Sequence, residues 1–412
     1  MRKLHLGGLK RIPPEIADYL KSPIPLSPIA LVLATGLLYQ LLTQPSAAAA
    51  LVVPLLVLAM LLALLRAPGW LLYLCLFIAL AVHLHFFTQV LALAPARFGS
   101  TRDRAAIATA LALLRGQNPW NHTPQIPVPA TTGAASILLV LPAVRIFGNL
   151  ALLTYLFWLG VFGFIVVCDV KYRNRIFPPL ALLTMTGMLG FAHAMEWRME
   201  ELYFPYVFML LAYYFLKWKR LFLCGLFLAI PPLSRVSYSF MTVGFLLWYA
   251  FDQKPILLNF VRLGAGALLT VVAILTPFVI VGRSEFWAHN FYTITKDMVQ
   301  LSNWPTTNYA FQVMNRLTTG MSPAAIRLFK QILALLMLVG MAWGARRWRF
   351  SHPFWHVAVA AFLSHTIVWH CPLPLDYALI FVLPAYFAAA LTRAPSPHSP
   401  AFVVDGGSGK EA

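Results

Sequence analysis

ARFGSTRDRAAIATALALLRGQNPWNH, residues 96–122, is the first long polar break in a chain that is otherwise almost continuous hydrocarbon. It holds one carboxylate, Asp103, among Arg97, Arg102, Arg104 and Arg115. The stretch reads as a short helix: Ser100 or Thr101 can cap its start, and Gly116 can take the left-handed conformation that stops it. Ile107, Leu111 and Leu114 recur at helical spacing, so the helix is expected to be amphipathic and to lie on a membrane surface. Arg104 and Arg115 are long enough to reach toward head groups. Gln117, Asn118, Pro119 and Trp120 follow as a turn ending in an aromatic expected at the interface. The whole is an external loop that presents one acid.

Composition sets the frame around this loop. Hydrophobic residues make up 60% and charged residues 11%. That is more apolar surface than a soluble core of this length can bury, so the chain is expected to be all-α, a polytopic transmembrane protein. Continuous apolar runs, not alternating ones, speak against a membrane β-barrel. The net charge of +18 is carried by short basic clusters between apolar runs. Such placement suits topology and lipid phosphate, and no nucleic-acid partner is expected. Cys75, Cys168 and Cys224 lie within apolar runs and read as packing residues; with Cys371 they form no CxxC pair and no disulfide framework.

Residues 1–25 form a basic lead, expected in the cytoplasm. Spans are expected near 26–44, 48–65 and 70–93. They leave residues 95–132 outside as a first external loop. The region 133–170 is too long for one span and short for two. Gly133 to Phe147 is a half-span or a tilted helix kinked at Pro142, and 149–168 is a full span, for one net crossing. Asp169 to Arg175 then fall inside. Spans 177–195, 202–217, 221–234, 237–251 and 258–282 alternate from there. A second external loop, 283–328, precedes spans 329–344, 353–369 and 378–392. The count is about 12, within about 11–13. Residues 26–392 thus form one transmembrane domain, and 393–412 read as a disordered tail. No repeat of solenoid length appears, nor the inverted symmetry many transporters carry.

This alternation puts Asp103, Glu196, Glu200, Arg235, His365 and His370 on or near one external face. A carboxylate above the membrane can take a proton from an attacking hydroxyl; Asp103 can equally pair with Arg102 or Arg104. Arg235, at a membrane boundary after Ile-Pro-Pro-Leu-Ser, can hold a lipid phosphate through paired hydrogen bonds, or simply snorkel. His365 and His370 flank Trp369 and either hold a phosphate or bond to a neighbouring backbone. Glu196 and Glu200 are one helical turn apart and can bind sugar hydroxyls or share a metal, or pair with Arg198. Phosphate-binding GxxxxGK[ST], GxSxG and HExxH strings are absent, which argues against nucleotide hydrolysis and zinc proteolysis.

The order of Asp103, a small-residue helix, Leu-Leu-Arg-Gly-Gln-Asn-Pro-Trp and an apolar run ending Leu-Pro-Ala-Val-Arg-Ile-Phe-Gly resembles the first external loop of GT-C glycosyltransferases. Gly116, Asn118, Pro119, Trp120, Phe147 and Gly148 match that outline; Trp120 stands where a tyrosine is usual, and a single acid where some branches have two. The resemblance implies a polyprenyl-phosphate sugar as donor and Asp103 as catalytic base. Donor-phosphate binding is expected at Arg235, where the family often carries a lysine or arginine, and at His370 and His365, and substrate contacts are expected from Glu196, Glu200, Trp120 and Asn118. The late stretch His-Cys-Pro-Leu-Pro-Leu-Asp-Tyr is similar to the family's late loop and adds Tyr377.

The expected function is therefore an integral membrane glycosyltransferase that moves a sugar, mannose first among candidates, to a lipid or glycan acceptor with inversion. It would sit in the plasma (inner) membrane as a multi-pass protein, among membrane lipids, its site facing the periplasm or exterior. No cofactor is required, and a divalent metal is not indicated. Two rivals are a surface-polysaccharide polymerase or ligase, which relies on arginines and a histidine in a late loop, and a lipid-linked sugar transporter or flippase without chemistry.

Overall fold

The computed structural model describes residues 101–120, 133–172, 204–287 and 320–347, except 149, 236 and 254, together with residues 70, 73, 74, 77, 78 and 81. Among these residues the chain is all-helical, with no strand. Its helices are α1 (Thr101–Leu114), α2 (Ala134–Phe147), α3 (Ala151–Tyr172), α4 (Phe204–Lys217), α5 (Leu221–Leu228), α6 (Ile230–Ser234), α7 (Ser237–Asp252), α8 (Leu257–Trp287) and α9 (Pro323–Arg347).

The polar break forms the helix expected of it. α1 ends with Gly116 at φ +68. The Gly116 N–H donates to Leu113 and the Gln117 N–H to Ala112, at 3.0 and 2.9 Å. This is a glycine-terminated stop in which the orphan carbonyls of the last turn are satisfied. Ala106, Thr109 and Ala110 face inward, whereas Leu111 and Leu114 are open at 36% and 37%. α2 holds Pro142 within it and ends at Gly148, also left-handed. Its 14 residues measure about 21 Å, short of the ~30 Å hydrocarbon layer.

Among the described residues, two helices are long and apolar enough to cross a bilayer: Leu257–Gly282 within α8 and Ala324–Gly344 within α9. Only 11% and 18% of their apolar windows are buried. A helix in the centre of a soluble domain would be enclosed on all sides. These instead turn Leu258, Val261, Leu268, Leu269 and Val272, or Ile332, Leu335 and Leu336, outward. That is the surface expected of helices whose solvent is lipid.

α5 and α8 touch backbone to backbone. A Cβ on Gly225 would fall 2.0 Å from the Leu263 carbonyl oxygen, and one on Gly266 would fall 2.1 Å from that of Phe222. The Thr270 hydroxyl donates to the Leu226 carbonyl at 3.0 Å. Small residues that let backbones approach are how helices associate where hydrophobic burial gives no drive. The matched pairs 222 with 266 and 226 with 270 make the two helices parallel, as the expected alternation of spans requires. The expected span 221–234 is broken at Ala229, where α5 gives way to the Pro-Pro turn of α6.

The C-terminal ends of α3 and α4, expected on the same side, meet. The Lys171 ammonium donates to the Tyr214 hydroxyl at 3.2 Å and lies 4.3 Å over the Trp218 ring. Nearby, Asp169 is fully buried and accepts a hydrogen bond from the Tyr73 hydroxyl. Cys168 and Cys224 are free thiols in packed surroundings.

Candidate functional site

The site is assembled at the end of the bundle to which α5 and α6 point. Pro231 and Pro232 open α6, whose fixed φ suits a first helical turn. The helix lasts only to Ser234, and the chain leaves it extended at Arg235, φ −156 and ψ 136. The Arg235 N–H still donates to Pro231 at 3.0 Å, and its carbonyl accepts from Tyr238 at 3.1 Å, which starts α7. Arg235 is thus held between two helices by its own backbone, and it is only 9% exposed.

The N-terminus of α2 is seated on this bend. Gly133 donates its N–H to the Ser234 carbonyl at 3.0 Å, and the Ser136 hydroxyl donates to the same oxygen at 3.3 Å. Any side chain at 133 would be stopped, because a Cβ there would lie 2.2 Å from the Leu233 carbonyl oxygen. The N-terminus of α2 therefore sits on the carbonyl that precedes the buried Arg235. α1 packs along α2, and Asp103 occupies the first turn of α1. α2 is in this way the shared neighbour of the helix bearing the acid and of the bend bearing the arginine.

The turn after α1 reaches the same end. The Asn118 side-chain oxygen accepts from the Trp120 N–H at 3.1 Å. The Trp120 ring packs on Phe278 and Phe286 of α8, at 5.2 and 5.6 Å between centroids. Since α5 and α8 are parallel, this C-terminal half of α8 lies on the side to which α6 and Arg235 extend. Trp120, expected at the lipid interface, is instead enclosed by protein and 5% exposed. The physical reason lies in residues that are distant in sequence: two phenylalanines about two helical turns apart on α8 supply a slot for the indole. Trp120→Ala should cost about 3–5 kcal/mol of stability, while Trp120→Phe keeps most of it. Thermal unfolding in detergent reads the difference.

Of the residues singled out by sequence, Arg235, Asn118 and Trp120 are brought to one end, and Asp103 stands in the first turn of α1, which packs on α2. Glu196, Glu200, His365, His370 and Tyr377 lie outside the described residues. Sequence reading missed Gly133, Ser136 and Ser234, whose partners lie about a hundred positions away. It also missed Lys330, which is 1% exposed; its signal was a cation seven residues inside a helix of membrane-crossing length. Among the described residues no three His, Cys, Asp or Glu side chains gather closely enough to hold a metal ion.

Fold and site together define, among the described residues, an all-helical bundle with helices fit to cross a membrane and a buried cation at one end. No family model, curated protein or solved structure matches the chain.

Proposed function

We propose that this chain is an integral membrane glycosyltransferase of GT-C type. It takes its sugar from a polyprenyl phosphate and delivers it to a lipid or glycan hydroxyl at the outer face of a plasma membrane that it crosses about 12 times. The acceptor hydroxyl attacks the anomeric carbon from the side opposite the phosphate. Its proton passes to the Asp103 carboxylate, the bond from the anomeric carbon to the phosphate oxygen breaks, and the electron pair leaves with the phosphate. The anomeric centre inverts. Arg235, with the positive end of α2, steadies the departing phosphate. His370 and His365 serve the same phosphate, and Glu196, Glu200 and Tyr377 contact sugar hydroxyls. No metal is required in this scheme.

The observation that supports this reading most is the buried Arg235 beside the α2 N-terminus, with the helix of Asp103 packed on that same α2. A buried guanidinium is expensive in an apolar bundle and is the side chain best shaped for a phosphate. The test is purified protein in lipid nanodiscs, given a labelled mannosyl polyprenyl phosphate and a lipid acceptor. A covalent mannosylated product is the expected result. No product from mannosyl, glucosyl or arabinosyl donors would overturn the reading, and label crossing vesicles unchanged would assign the chain to transport.

A further inference from the structure

The end of the bundle opposite Arg235 carries its own cluster of cations. α3 and α4 finish there, with Lys171 and Lys217 in their last turns, and α5 starts there. From that end Leu221–Ser234 extends about 20 Å before the chain reaches Arg235. The link from α4 to α5 is a tight turn. The Lys219 N–H donates to the Leu216 carbonyl and the Arg220 N–H to that of Phe215, both at 2.9 Å. Such a paired stop usually has glycine at its left-handed position. Here Lys219 holds it, at φ 55, the one non-glycine residue with positive φ among the described residues. Glycine would make the same two hydrogen bonds without strain, so the reason for a lysine at 219 lies in its side chain. The Lys171 ammonium lies 4.3 Å over the Trp218 ring, and Lys219 and Arg220 are the next two residues after that tryptophan. Lys171, Lys219 and Arg220 are exposed, whereas Asp169, the carboxylate of α3, is fully buried. Val167, one turn before Lys171, and Phe222, two residues after Arg220, are open at 60% and 41%.

We propose that Lys171, Lys219 and Arg220, grouped at Trp218, bind the headgroup of an anionic phospholipid in the leaflet opposite the arginine bend. The proposal is independent of the transferase reading. Cations a few residues apart at a membrane border attract anionic headgroups without a closed pocket. An indole suits that border, and this one holds the Lys171 ammonium from one side. Val167 and Phe222 offer the acyl chains an apolar surface next to the charges. The two hydrogen bonds fix the backbone at Lys219 and Arg220, so less freedom is lost when a phosphate is bound there. A purely structural role for Lys219 also exists, because a cation is favoured at the negative end of α4. That role gives no reason for one lipid to be preferred over another, and the two are separable by measurement.

The purified chain in detergent is titrated with dioleoylphosphatidylglycerol, an anion, and with dioleoylphosphatidylcholine, which has the same acyl chains and no net charge. Binding is read as lipid-induced thermal stabilisation. The wild type should bind the anion at least about tenfold more tightly, since each basic residue near a surface adds roughly fivefold. The preference should shrink as salt is raised. Without lipid, Lys219→Gly should melt no earlier than the wild type, because the left-handed strain is relieved. It should nevertheless lose about fivefold of the preference, and Lys219→Gly combined with Arg220→Gln should lose most of it. Arg347→Gln is the control: it removes an exposed charge at the end of α9 and should leave the preference within about twofold. Equal binding of the two lipids by the wild type overturns the proposal. So does a Lys219→Gly protein whose stability shifts alike with both lipids, the result expected of a helix-terminus role alone. A loss in Arg347→Gln as large as that in Lys219→Gly would replace the site with diffuse attraction by net charge. Polyprenyl phosphate that displaces phosphatidylglycerol at equal concentration would overturn the phospholipid assignment and give the cluster to the isoprenoid carrier.

Discussion

Asp103→Asn should abolish sugar transfer, lowering the initial rate by about 10²–10⁴-fold, the range a positioned general base contributes. Asparagine is nearly the same size, so the substitution removes the capacity to accept a proton and little else. The competing account is structural. Asp103 lies in the first turn of α1, where a carboxylate favours the positive helix end by about 0.3–1 kcal/mol. That account predicts a small drop in melting temperature and a matching small loss of activity. The catalytic account predicts a protein that melts almost normally and turns over almost nothing, with binding of the polyprenyl phosphate retained. Measuring rate and unfolding on the same preparation separates the two. Full activity in Asp103→Asn would move the chemistry elsewhere, and the polymerase reading, which relies on arginines and a histidine, would take its place.

Gly225→Leu should have the largest effect on the fold. The Leu263 carbonyl oxygen would stand 2.0 Å from the new Cβ. That oxygen belongs to helix backbone and cannot rotate aside, so α5 and α8 must separate. Overpacking costs about 1–3 kcal/mol even where side chains can yield; here the loss should exceed that and show as poor yield and early melting. Gly266→Leu should behave alike from the other helix, and the double variant should cost less than the sum, because one separation serves both. Gly264 is the control. It lies on the exposed side of α8, a Cβ there meets nothing within 4 Å, and leucine favours helix over glycine by up to about 1 kcal/mol. Gly264→Leu should therefore melt no earlier than the wild type.

The helices could be read from sequence wherever a local signal marks them. The stop at Gly116 and the short helix from Ala134 with Pro142 inside it rest on backbone rules a few residues long, and both are present. Ends set by solvent were less legible. The apolar run read as a span ends at 282, yet α8 continues to Trp287, because Phe286 is still buried against Trp120. α9 likewise begins at Pro323, before the span expected from 329. At the site, Arg235 stood out as a cation after an apolar run. What surrounds it did not: Gly133 and Ser136 reach it across about a hundred residues, and an isolated glycine in an apolar stretch gives no hint of the carbonyl it must accommodate. Lys330 was hidden for a related reason. At the edge of a span a lysine reads as a boundary marker, and only the neighbouring helix reveals that its side chain is enclosed.

The hydrogen bonds from α2 to Ser234 also constrain the order in which the protein can be made. Ser136 and Ser234 are 98 positions apart, so when α2 leaves the ribosome its acceptor has yet to be synthesised. A helix of about 21 Å cannot reach across the hydrocarbon on its own. Until residue 234 is made, the N-terminus of α2 lacks the carbonyl it bonds to. Maturation of the arginine bend is therefore a late event of biogenesis, and a nascent chain halted before residue 234 would hold every residue of α2 without being able to seat it.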